Sequence, residues 1–551
     1  MRLAAPGLRV AVLALLLDGL VGSPRGASAS TLPYIPIDHW VTPYITEAIG
    51  RGLLPKLSHA DRPYRRTGVG KALRTARDTA DSLGRSLDPY EHWLLERIEA
   101  EVDPDAPTPP AAFSTATGEW SLGYGIESRT NFLTGDDQKR FGEDALEEVL
   151  LPYAGFQSGR GLAVGARFRV SSDGALAPDY NGREWRNGWT GEATNAYVLL
   201  QFGAAEILFG RDALRWGSSQ NSSLLLSANA PSFDQVGLRI FAGPVTASSF
   251  FANLDDMVLA TPTAVAPGDT LPAGTVINRQ ISGHRIAVQI SRAVQLGLAE
   301  SIVYGGENRG LEPEYLIPGT FFYAEQWNSG TNDNVLFSFT ADVRPSPHFD
   351  LYGELLVDDF QIDSSAPSDE EPFEGGFIVG ARVYDPFGWS GTKLRAEWAG
   401  VKPYTYNQDL PWNRYLYEGQ YIGFDLGSDA QSFDVELQRW LSPKVTGTLR
   451  FRLSEVGEVR ATDAWPVPIT GASATDPFPT YDHFPTGTVE QRTTIAGQAW
   501  IHPRPGFDLY LGGGYVSVQN LGNVEGYRFE EAFVDVSLRL NWSRWLREGE
   551  R

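Results

Sequence analysis

The sequence predicts a mainly β protein: a transmembrane antiparallel β-barrel of about 18 strands, preceded by a small α-helical domain. Three observations predict it. From residue 115 onward, apolar and polar residues alternate with a period of two, and no αβ units interrupt the pattern. Along that stretch, short turns such as 344–348, 441–444 and 502–506 alternate with long polar or Pro-rich loops at 255–283, 361–374, 403–418 and 457–487. The chain has 58 Gly, 12% aromatic residues and no Cys, and no later stretch approaches the roughly 18 apolar residues of a spanning helix.

Residues 1–29 read as a secretory signal peptide. Arg2 and Arg9 precede a short apolar centre broken by Asp18, and Ala27-Ser28-Ala29 is a small-residue cleavage site. Residues 30–112 form the N-terminal helical domain. Stretch 41–55 is a helix candidate closed by Gly52 and Pro55. Stretch 67–84 places Val69, Leu73, Ala76, Ala80 and Leu83 on one side. Stretch 88–102 opens with Asp88 as N-cap, Pro89 at N1 and Glu91 at N3, a variant of the capping box. The Pro-rich run 103–112 is the expected domain boundary, and residues 113–551 the outer-membrane barrel.

The last strand shows the two-faced pattern best. Val534, Val536, Leu538, Leu540 and Trp542 face one way, and Asp535, Ser537, Arg539 and Asn541 the other. Leu351 and Leu355 oppose Asp350, Tyr352 and Glu354; Phe433, Val435 and Leu437 oppose Asp434, Glu436 and Gln438; Leu449 and Phe451 oppose Thr448, Arg450 and Arg452. A soluble sandwich also alternates, but a run this long without an internal repeat favours a barrel. Trp185 with Trp189, Trp389, Trp412 with Tyr415 and Tyr417, Trp440, and Trp542 with Trp545 gather at strand ends, where interfacial girdles want them. Such barrels usually end on an aromatic residue, whereas here a tail follows Trp545.

The net charge of −22 argues against nucleic acid as a partner. Catalysis finds little support. There is no GxSxG elbow and no HExxH, and Asp482-His483 lacks an assignable nucleophile. No cofactor or metal is expected; the acidic loop with Asp369, Glu370 and Glu371 reads as solvated surface.

The stretch "GRDALRWGSSQNSSLLLSANAPS" (210–232) is too polar for a core and too patterned for a linker. Its Arg211, Arg215-Trp216-Gly217, Leu224-Leu225-Leu226-Ser227, Asn229-Ala230-Pro231 and Phe233 resemble the Wzi family of outer-membrane capsule-assembly proteins, with Ser218 where that family often has Pro. Residues 299–318, 395–401 and 417–437 agree with it in order, as does the helical start. The resemblance implies a lectin-like, non-catalytic barrel in the outer membrane of a Gram-negative-type bacterium, its helical domain in the periplasm. It would hold exported capsular polysaccharide or exopolysaccharide at the cell surface, as a monomer among outer-membrane lipid and lipopolysaccharide. Arg211, Asp212, Arg215 and Trp216 would then form a charged lumen network, and the three leucines would return to a lipid-facing or packed surface.

A sugar site needs flat aromatic faces ringed by planar hydrogen-bonding groups, and Arg suits the carboxylates of acidic sugars. Trp185, Arg186 and Trp189 in one loop, Trp327 in another, and Trp412, Arg414 and Tyr415 in a third have that chemistry. Lumen salt bridges and interfacial aromatics would use the same residue types. The rival reading is a passive porin-type channel, for which an 18-strand barrel is wide enough.

Overall fold

The computed structural model describes residues 32–83, 87–102, 120–134, 145–172, 174–176, 180, 182–266, 268–358, 374–465, 483–504 and 506–547. The expected signal peptide, the Pro-rich linker and most of the acidic loop 361–374 lie outside them. Among the described residues the chain is 55% strand and closes into an 18-strand antiparallel barrel. The strands are β1 (Trp120–Thr134), β2 (Ala145–Ser158), β3 (Leu162–Ser171), β4 (Thr190–Phe202), β5 (Ala205–Asp212), β6 (Phe233–Ala242), β7 (Val245–Asn253), β8 (Val276–Gln289) and β9 (Val294–Gly306). They continue as β10 (Asn334–Ser346), β11 (Phe349–Val357), β12 (Gly375–Tyr384), β13 (Thr392–Val401), β14 (Ala430–Ser442), β15 (Val445–Val456), β16 (Glu490–Arg504), β17 (Phe507–Gln519) and β18 (Arg528–Arg547). Each pairs with its sequence neighbours, and β18 closes onto β1 from Val534↔Thr134 to Arg547↔Ser121. Closure leaves no free edge, which a bilayer requires of a spanning sheet.

The dyad pattern is expressed as burial. Outer-face residues such as Leu351, Leu355, Phe433, Leu437, Leu449 and Val534 are exposed. Their neighbours Asp350, Glu354, Asp434 and Arg539 face inward and are buried. Two sequence expectations shift at strand ends. The tail after Trp545 begins as strand, because Trp545, Leu546 and Arg547 pair with Gly123, Leu122 and Ser121; residues 548–551 lie outside the described ones. The loop expected at 255–283 ends by residue 275, where β8 begins. Trp440 shares the inward parity of Asp434, so it packs against Tyr90 and Trp93, at 5.5 and 5.9 Å between ring centres, and not in an outer girdle.

Before the barrel come α1 (Thr42–Gly50), α2 (Arg66–Leu83) and α3 (Pro89–Glu99). The capping box of α3 forms as read: the Glu91 amide donates to Asp88 at 2.7 Å, and the Asp88 amide donates to the Glu91 carboxylate at 3.2 Å. α1 stops short of the expected 55 because Gly52 takes a left-handed φ of 74° and its amide folds back on Ile49. Ile45, Ile49, Leu53, Val69, Leu73, Tyr90, Leu94 and Ile98 form one core; the side chains of Ala80 and Leu83 lie outside the described set.

This helical cap covers the short-turn end of the barrel. Arg51 on the cap pairs with Asp385 between β12 and β13 at 2.7 Å, Trp93 donates to the Pro443 carbonyl between β14 and β15 at 3.0 Å, and Arg97 pairs with Asp508 on β17 at 2.9 Å. All three contacts lie at short turns.

Candidate functional site

The lumen is shaped by what fills it. Loop 213–232, between β5 and β6, turns inward and meets the chain upstream of α2. Asp61 and Arg62 pair as a short ribbon with Trp216 and Arg215, and Arg62 donates to the Gly217 and Ser219 carbonyls at 2.7 and 3.1 Å. Arg215 folds the loop on itself by donating to the Ser219 and Ser222 carbonyls at 2.8 and 3.0 Å. Its guanidinium is thus consumed by backbone, which answers why a cation stands so close to Leu224, Leu225 and Leu226. Those leucines are buried against inner-wall residues Ile281, Val303, Leu336, Leu356 and Ile378. Packing inside the lumen, not lipid, is where they go.

The wall grips this plug with its charged face. Glu354 accepts the amides of Ser218 and Leu224, both at 3.0 Å; Asp342 accepts the Ser218 hydroxyl at 2.7 Å; Arg382 donates to the Ser218 carbonyl at 2.6 Å; Glu397 accepts from Asn221 at 2.9 Å. A second inward loop, 402–429, locks on. The Tyr406 hydroxyl donates to the Leu224 carbonyl at 2.6 Å, and Asn229 reaches the Gly423 carbonyl at 2.6 Å. A polar cavity of about 1420 Å³ remains beside the plug, along β14 to β18 and β1, with Trp40 and Tyr44 of the cap among its lining residues. Cations and carboxylates line it in near-equal number, along with Trp500 and Tyr510.

Of the lumen residues named from sequence, Asp212, Arg215 and Trp216 lie inside. Asp212 accepts from Asn195 at 2.7 Å, and Trp216 packs edge-on against Phe250 at 5.6 Å. Arg211 does not join them. Ile207, Phe209 and Arg211 share the outward parity of β5, so Arg211 stands on the outer surface and pairs bidentately with Asp234 at 2.7 and 2.5 Å.

The saccharide candidates separate as sharply. Trp412 and Tyr415 are 2% and 0% exposed, in the second inward loop, where Arg279 clasps the Trp412, Arg414 and Leu416 carbonyls at 2.6, 2.9 and 2.9 Å. Arg414 is half-buried and donates to the Asp463 carbonyl at 2.7 Å. These three serve the plug and offer no free aromatic face. Trp185, 59% exposed, Arg186, also exposed, and half-buried Trp189 sit on the loop between β3 and β4, at the long-loop end. The Trp185 amide donates to the Trp189 carbonyl at 2.7 Å, Asn187 takes a positive φ of 57°, and the resulting tight turn lays the Trp185 ring over Gly191 at the start of β4 with its other face open. Trp327, 71% exposed, lies on a separate short helix, away from this turn. Sequence reasoning singled out neither the clamp residues Asp342, Arg382 and Glu397 nor Arg279. Their signal was a lone charge at an inward-parity position of a strand whose outward positions are apolar.

Cap residues at the cavity show how the interior is balanced. Asp38 receives Arg167 bidentately at 2.7 and 2.8 Å. Enclosure pushes its carboxyl up, but Arg167 and Arg129 outweigh that and hold it well below the usual range. Burial pushes His39 and His59 well below their ordinary value of 6.5, helped by Arg66 at His39 and Arg382 at His59. Among the described residues, no cluster of His, Cys, Asp and Glu is arranged to hold a metal ion.

A family model described as capsule assembly protein Wzi matches residues 154–528. Among solved structures, the chain is similar to Wzi of Escherichia coli, described as an outer membrane protein involved in group 1 capsule assembly and a carbohydrate-binding β-barrel. Identity is 14%, the alignment covers 92% of this chain and 99% of that one, and the TM-score is 0.58. OccD3 (OpdP) of Pseudomonas aeruginosa aligns over 81% of this chain and 97% of its own, at 9% identity and TM-score 0.44; OccAB2 of Acinetobacter baumannii over 77% and 98%, at 10% and 0.43. The last two are too distant in shape to bear on function. No curated protein matches.

Proposed function

Since the chain belongs to the Wzi family of capsule assembly proteins, we propose that it is a non-catalytic, lectin-like barrel of the outer membrane that binds exported capsular polysaccharide or exopolysaccharide at the cell surface, with its helical cap in the periplasm. The observation that carries this reading is the self-filled lumen. The chain spends its inward Arg and Glu on its own plug, and leaves a Trp–Arg turn outside at the long-loop end. In such barrels the long loops face the exterior. Trp185 offers a face for sugar C–H groups, and Arg186 beside it offers paired donors for an acidic sugar.

The test is calorimetry of the detergent-purified protein with its own host's surface polysaccharide. Trp185→Ala should weaken binding about two- to twelvefold, the range of one lost aromatic contact of about 0.5–1.5 kcal/mol. Undiminished binding would remove the turn from the site. The cavity beside the plug favours one second reading, a passive channel. A steady conductance in a planar bilayer, without saccharide binding, would establish that reading and overturn ours.

A further inference from the structure

The loop between β9 and β10 does not turn into the lumen. It folds back over the outside of the barrel. On β9, Leu296 and Leu298 are exposed on the outer face, and Glu300, Ile302 and Tyr304 continue that parity but are buried. What buries them is the short helix Phe322–Ser329, here α4, with the turn at Tyr315. Phe322 packs onto His284 of β8 at 4.4 Å between ring centres, and Tyr315 onto Tyr304 at 4.9 Å. Beneath the helix, His284 and Glu300 pair at 3.1 Å on what would otherwise be open outer wall, and the Tyr323 amide donates to Glu300 at 2.9 Å. Arg309 fixes the loop at its root, bidentate to Glu312 (2.6 and 2.9 Å) and to Asp333 (2.5 and 2.8 Å), and Tyr315 adds a bond to Asp333 at 2.9 Å.

The other side of this flap is apolar and unpaired by protein. Phe321, Tyr323 and Trp327 are exposed, as are Leu316 and Ile317. Phe321 and Tyr323 abut Phe337 of the barrel wall at 5.7 and 6.3 Å, and Trp327 joins Tyr323 at 6.3 Å. Phe337 leads on the same face to exposed Phe339, and across β11 to exposed Leu355. The flap's aromatic face is therefore continuous with the lipid-facing band of the barrel. It adds rings that are apolar at one end and, for Tyr and Trp, polar at the other, the composition of membrane interfaces.

We propose that residues 307–333 form a lipid-binding flap: its aromatic face lies among the acyl chains and interfacial groups of the outer leaflet, and its underside shields the His284–Glu300 pair from lipid. This assigns Trp327 to lipid and not to polysaccharide, and it stands independently of the saccharide reading above.

The chain has no Cys, so a single introduced thiol reports one position. A nitroxide is attached to Trp327→Cys, and separately to Phe321→Cys, in the full chain reconstituted into dilauroylphosphatidylcholine vesicles. Leu355→Cys serves as the lipid-facing reference and Arg186→Cys, on an exposed charged position, as the water-facing one, and heat-modifiable gel migration confirms that each barrel is folded. The expected result is collision with dissolved oxygen favoured over collision with a water-soluble nickel chelate at both flap positions, as at Leu355→Cys. Nickel-dominated collision at both, as at Arg186→Cys, would overturn the proposal. So would immobilisation of the Trp327→Cys label on adding the host polysaccharide, which would return this surface to sugar.

Discussion

Glu354 is the point at which the plug is most open to attack. Its carboxylate faces inward from β11, is buried, and accepts two plug amides, from Ser218 and Leu224, both at 3.0 Å. Hydrogen bonds to a charged partner contribute about 1.5–3 kcal/mol each, and removing the acceptor leaves both amides buried and unpaired. Other contacts to the same loop, from Asp342, Arg382 and Tyr406, persist. Glu354→Ala should therefore cost plug docking about 3 kcal/mol, the low end of two such bonds. At a factor of ten per 1.4 kcal/mol, that raises the population of the released plug about 100-fold. Tryptic cleavage after Arg215, buried in the docked loop, reads that population when opening is fast relative to cutting. The variant should be cut about 100-fold faster at this bond, with intermittent conductance in a planar bilayer. Glu354→Gln, which keeps an acceptor oxygen but loses the charge, should fall between. Cleavage of folded Glu354→Ala within twofold of the native rate would refute the clamp as described, and with it the view that the inward charges exist to hold the plug.

Two further outcomes follow from the cap. His39 and His59 are held neutral in the docked state, well below 6.5. Above 6.5 neither the docked nor the unfolded state is protonated there, whereas below it only the unfolded state takes up protons, so stability falls as pH drops from 7 to 5. Asp38 acts in the same direction but only at more acid pH, since its depressed pKa matters below its ordinary 3.8. Thermal melts should show this acid loss, and His39→Gln with His59→Gln should flatten it; an unchanged slope would count against the assignment. Arg51 bridges Glu47 at 2.9 Å and Asp385 at 2.7 Å with almost no exposure; Arg51→Ala leaves these carboxylates to neutral donors, Tyr90 at Glu47 and the Gly391 amide at Asp385, and should cost about 3 kcal/mol of cap docking, the low end for breaking a buried pair, read as protease access to α1–α3 in a barrel that still resists heat.

The barrel was legible in the sequence because burial on one face and lipid on the other impose the same period on every strand, so Leu351, Leu355, Phe433 and Leu437 could be placed without coordinates. The capping box at Asp88–Glu91 was equally local. The plug was not, since nothing in Arg215 or Leu225 says whether a loop turns out or in: that depends on Glu354 and Ile378, which arrive more than a hundred residues later. The same ignorance put buried Trp412 and Tyr415 alongside exposed Trp185, as an aromatic beside an Arg reads alike whether Arg279 clasps its carbonyl or solvent bathes its ring. Arg211 was a different miss. Ile207 and Phe209 already fixed its parity as outward, and the alternation used elsewhere in the chain would have removed it from the lumen.

The distribution of charge also bears on where a ligand belongs. The chain carries −22 overall, yet its interior carboxylates are mostly engaged: Glu354 by plug amides, Glu397 by Asn221 and Tyr352, Asp434 by Arg395 and Arg450, Asp508 by Arg97 and Arg539. The guanidiniums are engaged in turn, several by backbone carbonyls that no ligand would displace without undoing the plug. A polysaccharide entering the lumen would therefore compete with bonds the fold already uses, in a site whose charges nearly cancel. On the long-loop surface the Trp185–Arg186 turn is held by its own backbone and its Trp face faces no such competition. The charges that would make the lumen costly for a ligand to enter are the same ones that hold the plug against the wall.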